Sequence, residues 1–88
     1  MLIGSDDPIV IETATLKRDY DYSIYYSKKS NLTREVALER VFAEREKRIA
    51  SMKKRNLSDE EIKSILKTAA DNRAEAFALY NIPPEELY

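Results

Sequence analysis

Pro8-Ile9-Val10-Ile11-Glu12-Thr13-Ala14-Thr15-Leu16-Lys17-Arg18-Asp19-Tyr20-Asp21-Tyr22-Ser23-Ile24-Tyr25-Tyr26-Ser27 is the stretch on which the fold turns. Ile9, Val10 and Ile11 are β-branched, and Thr13 and Thr15 come after them at alternate positions. Such side chains favour a pleated strand. Tyr20, Tyr22, Ile24 and Tyr26 then alternate with Asp21, Ser23 and Tyr25, a period of two. Residues 8–27 are therefore predicted to form a β-ribbon. Lys17-Arg18-Asp19 is the polar break between its two halves and contains no glycine, so a tight hairpin turn is poorly supplied. A two-stranded ribbon is marginal alone in water and must pack on something else.

Beyond residue 32 the chain reads as helix. Residues 33–54 are rich in Glu, Arg, Ala, Leu and Lys, and Thr33 suits the N-cap. Leu38, Val41, Phe42, Ile49 and Met52 share one face; Leu32, Val36, Ala43 and Ala50 form a weaker second stripe. Ser58-Asp59-Glu60-Glu61 spells a capping box, with Leu57 and Ile62 placed as a hydrophobic staple. Residues 58–80 form the second expected helix, its face carrying Ile62, Ile65, Leu66, Ala69, Ala76, Phe77 and Tyr80. Pro83 and Pro84 bar its continuation into a tail of residues 81–88. The short connection implies antiparallel neighbours. The expectation is one domain over 1–88: mostly α, an N-terminal β-ribbon, then an antiparallel two-helix hairpin completed by oligomerisation. No internal repeat or low-complexity segment is evident.

Composition narrows the chemistry. The chain has 88 residues, no histidine and no cysteine. Disulfides, thiolate metal sites and the commonest general base are thus excluded. Asp6-Asp7 and the pair Asp19 and Asp21 come with no nucleophile or activating base, so no catalytic residue, metal site or cofactor is expected. No apolar run approaches the roughly 20 residues of a membrane span, and Met1–Asp7 does not read as a leader. A cytoplasmic protein is the expectation. Charge is uneven: residues 1–27 sum to −3, residues 28–55 to +6 and residues 56–88 to −4. The basic middle is expected to pack beside the acidic ends.

Three groups of residues stand out as binding candidates. Arg45 and Arg73 interrupt the two predicted apolar faces, and a buried arginine needs a partner or a route to water. Tyr20, Tyr22, Tyr25 and Tyr26 concentrate a side chain that is enriched at interfaces. Lys28, Lys29 and Ser30 precede a helix start, where an anion would be favoured, although the stretch lacks the glycines of a phosphate-binding loop. Together these favour a small non-enzymatic binding protein. It would be a regulator or inhibitor acting through protein–protein contacts as a homo-oligomer, a dimer or higher, of a size and plainness that suit a phage accessory protein. Partner-binding residues would be Tyr20, Tyr22, Tyr25, Tyr26, Arg45 and Arg73. The alternative is an anionic ligand, nucleic acid or nucleotide, held by Lys28, Lys29, Ser30, Arg45 and Arg73.

Overall fold

The computed structural model describes residues 7–88; residues 1–6, which include Asp6 and all but the last residue of the stretch read for a leader, lie outside the described residues. Among the described residues, four α-helices succeed one another: α1 (Pro8–Lys29), α2 (Arg34–Lys54), α3 (Asp59–Asn72) and α4 (Ala74–Ala78). A 3₁₀ turn, η1 (Pro84–Leu87), ends the described chain. Among the described residues there is no strand, so the predicted β-ribbon over residues 8–27 is corrected to a single long helix.

The start of α1 is chemically ordinary. Asp7 Oδ1 accepts from the Ile9 N–H at 2.9 Å, and Pro8 occupies the first turn, where its missing N–H costs nothing. The β-branched threonines satisfy themselves inside the helix, Thr13 and Thr15 donating to the Ile9 and Ile11 carbonyls at 2.6 and 2.8 Å. The buried side chains of α1 are Glu12, Leu16, Tyr20, Ser23, Ile24 and Ser27. Apart from the adjacent Ser23 and Ile24 they follow at spacings of three and four, which is helical, and three of the six are polar, which breaks the apolar stripe that would have marked it.

The helix α1 is the centre of the molecule. It packs along both α2 and α3 and touches α4, whereas α2 and α3 have little direct backbone contact. The antiparallel pairing expected of the last two helices is thus replaced by two separate pairings with α1. Leu16, Tyr20 and Ile24 of α1 meet Ala37, Val41 and Met52 of α2, and Ile62, Ile65, Leu66, Ala69 and Ala70 of α3. Tyr20 lies edge-on to Phe77 with ring centroids 5.2 Å apart. Of the predicted second stripe, Leu32 is half-buried, and Val36, Ala43 and Ala50 are exposed. The predicted helix over 58–80 also breaks, at Arg73 (φ −113°, ψ 19°), just after the weak helix formers Asp71 and Asn72. The turn η1 packs on α3 and buries Leu87 completely.

Charged groups of the basic middle segment join these elements. Arg48 Nε reaches Asp19 Oδ2 at 3.1 Å, and its Nη1 lies 3.8 Å from Glu12 Oε1. Arg55 binds the other Glu12 oxygen. Glu12 is 1% exposed, so removing either arginine would leave a carboxylate in the core with less compensation than it needs.

The helix ends reveal a repeat that the sequence alone did not disclose. Asn31, Asn56 and Asn81, each 25 residues after the last, all adopt left-handed backbone, with φ of 57°, 65° and 56°. Each is succeeded by Leu32, Leu57 or Ile82, whose N–H returns to the carbonyl of Ser27, Met52 or Phe77 at 2.9, 3.2 and 3.0 Å. These are three Schellman ends in the same register. Burial keeps that register. Glu12, Ala37, Ile62 and Leu87 are all buried, as are Leu16, Val41 and Leu66, and Ser27, Met52 and Phe77. By this count η1 is the first turn of a fourth unit, with Pro83-Pro84-Glu85-Glu86-Leu87 matching Ser58-Asp59-Glu60-Glu61-Ile62.

Candidate functional site

Once residues 8–27 are helical, the four tyrosines separate. Tyr20 and Tyr22 are about 200° apart around the axis instead of side by side. Tyr20 is fully buried and belongs to the core, so it is corrected from a partner-binding candidate to a packing residue. Tyr22, Tyr25 and Tyr26 remain exposed, at 74%, 54% and 48%. Tyr22 and Tyr26, one turn apart, stack with centroids at 6.3 Å and an interplanar angle of 18°. The Arg40 guanidinium of α2 lies 5.7 Å from the Tyr26 ring centroid, within cation–π range.

These rings border an open groove of 570 Å³ between α1 and α2. Arg18, Tyr22 and Tyr26 line one side; Arg40, Ala43 and Glu44 line the other. A shallower depression bounded by Tyr22, Tyr25, Tyr26 and Lys29 continues it. The acids of the groove are already engaged. Asp19 is held by Arg48, and Glu44 Oε2 accepts from Lys47 Nζ at 3.4 Å. Among the described residues, no carboxylate stands within ion-pair distance of Arg18 or Arg40. The face therefore presents three exposed aromatic rings, and beside them cations with no ion-pair partner among the described residues.

Arg45, Arg73 and Lys28 make contacts within the fold. Arg45 donates from Nε to the Leu87 carbonyl at 3.2 Å, from Nη2 to the Tyr88 carbonyl at 3.0 Å and from Nη1 to Glu46 Oε2 at 2.6 Å. It is a clamp on the tail. Arg73 Nε lies 3.0 Å from Asp21 Oδ1 of α1, an ion pair whose N–H is not aimed at the oxygen. Its Nη1 donates to the Asn72 carbonyl at 3.1 Å. Lys28 and Lys29 sit in the last turn of α1, where the helix dipole favours cations. Lys28 Nζ rests 4.9 Å from the Tyr80 ring centroid, and Lys29 borders the tyrosine face. Ser30 caps α1 through its backbone N–H, which donates to the Tyr26 and Lys28 carbonyls. The five anion-binding candidates thus have separate local duties.

Sequence reasoning missed Arg18 and Arg40. Arg18 carried a signal, since Arg18, Tyr22, Tyr25 and Lys29 keep the four-three-four spacing of one helix face. Arg40 carried none, because its position depends on how α2 lies against α1. Among the described residues, no group of three or more acidic, histidine or cysteine side chains could hold a metal ion, and no helix is long and apolar enough to cross a membrane. Comparison with protein-family models, with curated proteins and with solved structures finds no match to this chain.

Proposed function

We propose that this chain is a non-enzymatic protein-binding module, a regulator or inhibitor, whose working surface is the Tyr22, Tyr25 and Tyr26 face. One observation carries the reading. Three large aromatic rings stand contiguous and exposed on a helix whose opposite side is locked into the core. Tyrosine on a rigid element gives contact area at little entropic cost, and such residues are enriched among binding hot spots. Self-association is the expectation only while two helices must close a core by themselves. Here α1 supplies the missing layer within the chain, which supports a different protein as the occupant of the tyrosine face. The anionic-ligand reading draws less support, since Arg45, Arg73 and Lys28 already have partners in the fold.

The test is alanine substitution scored against a partner. A photo-crosslinking residue at position 25 would trap the partner in the host, and binding would then be measured with the purified pair. Tyr22→Ala and Tyr26→Ala are each expected to weaken binding about 10- to 30-fold, up to the threshold of a hot spot. Far-ultraviolet circular dichroism should stay unchanged, because both rings are outside the core. Full affinity in the Tyr22→Ala/Tyr26→Ala double variant would remove this surface from the function.

A further inference from the structure

We infer that the segment taken by the Tyr22–Tyr25–Tyr26 face is acidic, with apolar side chains at its centre and carboxylates toward its ends. The inference rests on reading that face as a protein-binding surface and adds the chemistry of its occupant. Charge complementarity carries it. Arg18 and Lys29 bracket the tyrosines along α1, and Arg40 flanks them from α2. Asp19 pairs with Arg48 and Glu44 with the exposed Lys47, and among the described residues no carboxylate stands within ion-pair distance of Arg18 or Arg40. An occupant that covers the rings must pass these cations. It gains if it brings carboxylates and loses if it brings lysines.

Geometry sets the spacing. Arg18 and Lys29 are 11 residues apart on one helix, about 16 Å along its axis. An occupant lying along α1 meets both with carboxylates about five residues apart if extended, or about three turns apart if helical. Between them its apolar side chains rest on the phenol rings. A second copy of this chain fits less well, because it brings the same cations to the same face. A polyphosphate strand also fits less well, because three contiguous phenol rings lie between Arg18 and Lys29, an apolar stretch that an evenly charged backbone does not match.

The experiment monitors backbone amide signals of the full chain by NMR during titration at low salt. The probes are a heptapeptide with two glutamates at each end around a Leu-Trp-Leu centre, its glutamine and lysine counterparts, and a twelve-residue oligothymidylate. The glutamate peptide is expected to shift Tyr22, Tyr26 and Arg40 and to bind at least tenfold more tightly than the glutamine peptide. Arg18→Glu/Arg40→Glu, at two exposed positions, should reverse the preference toward the lysine peptide. Equal affinity of the glutamate and glutamine peptides, both lost in Tyr22→Ala, would overturn the acidic assignment while leaving the tyrosine surface in place. Peptide binding that ignores Tyr22→Ala, or no peptide binding at all, would overturn both. Tighter binding of the oligonucleotide, or the same shifts on concentrating the protein alone, would overturn the inference in favour of nucleic acid or of a second copy.

Discussion

The Tyr20 hydroxyl is buried against Phe77 and its neighbours with no hydrogen-bond partner among the described residues. An unsatisfied buried polar group costs about 1–3 kcal/mol. Burial pushes the phenol above its ordinary pKa of 10.0; Asp19 and Glu46 push the same way, and Arg45 opposes them. The folded pKa therefore exceeds the unfolded one. The stability this group contributes is intact below pH 10.0 and drains away as pH rises from there toward the folded pKa. Tyr20→Phe should raise stability in urea by about 1 kcal/mol and flatten the alkaline loss. A destabilisation of that size would mean that the hydroxyl is satisfied after all. The same residue shows why α1 was illegible. In a strand Tyr20 and Tyr22 share a face, but in a helix one points into the core and the other out. Glu12, Ser23 and Ser27, all buried, further removed the apolar marks that would have favoured the helix.

At the scale of elements, ends were more legible than faces. The Ser58 capping box forms with both of its bonds, Glu61 N–H to Ser58 Oγ at 3.1 Å and Ser58 N–H to Glu61 Oε1 at 2.8 Å. Thr33 Oγ1 accepts from the Val36 N–H at 3.2 Å. Such chemistry is local, so a few residues suffice to read it. The strand assignment failed because β-branched residues and an accidental period of two outweighed cues that were also present: Asp7-Pro8 as a start, and no glycine to turn a hairpin. The repeat stayed hidden because its shared residues are confined to the boundaries, Asn31-Leu32-Thr33 and Asn56-Leu57-Ser58, with Asn81-Ile82-Pro83 as a looser third. Each asparagine holds a positive φ, which costs about 1–2 kcal/mol for a residue with a Cβ and no local compensation. Asn56→Ala should therefore lower the urea midpoint by the equivalent of about 1 kcal/mol, and Asn56→Gly should hold it or raise it slightly. Equal midpoints for the two variants would show that the left-handed turn is not what Asn56 provides.

For the whole molecule, the uneven charge and the short tail prove to be one subject. The basic helix α2 and its C-cap Arg55 bind acidic segments on both sides, through Arg48 and Arg55 to Glu12 and Asp19, and through Arg34 to Glu86 at 3.5 Å. Since α2 and α3 barely meet, the tail bridges them: η1 packs on α3 while Arg45 of α2 grips its last carbonyls. Arg34 grips the preceding turn in the same way, Nε to the Tyr80 carbonyl at 2.9 Å. On the far side, the Tyr88 hydroxyl donates to Asp71 Oδ1 at 2.5 Å, and Lys67 lies 5.1 Å from the Tyr88 ring centroid. The hydrogen bond from Tyr88, then that from Lys67, holds the Asp71 carboxyl below its ordinary pKa. This outer tether is therefore complete above pH 3.8 and is lost as pH falls through the lower folded value. The Arg45 clamp instead holds the backbone of the tail, at the Leu87 and Tyr88 oxygens, and not the Tyr88 ring. The two holds can thus be separated. Leu87→Ala empties a fully buried site and should cost about 2–4 kcal/mol in global stability. Arg45→Ala should instead leave most of that stability in place and speed amide exchange at Leu87 and Tyr88 at least tenfold. Its effect on the tail should deepen at pH values low enough to protonate Asp71. Uniform acceleration of amides in α1, α2 and α3 by Arg45→Ala would mean that the tail unfolds only with the whole chain, and that the bridge is part of the core rather than a latch upon it.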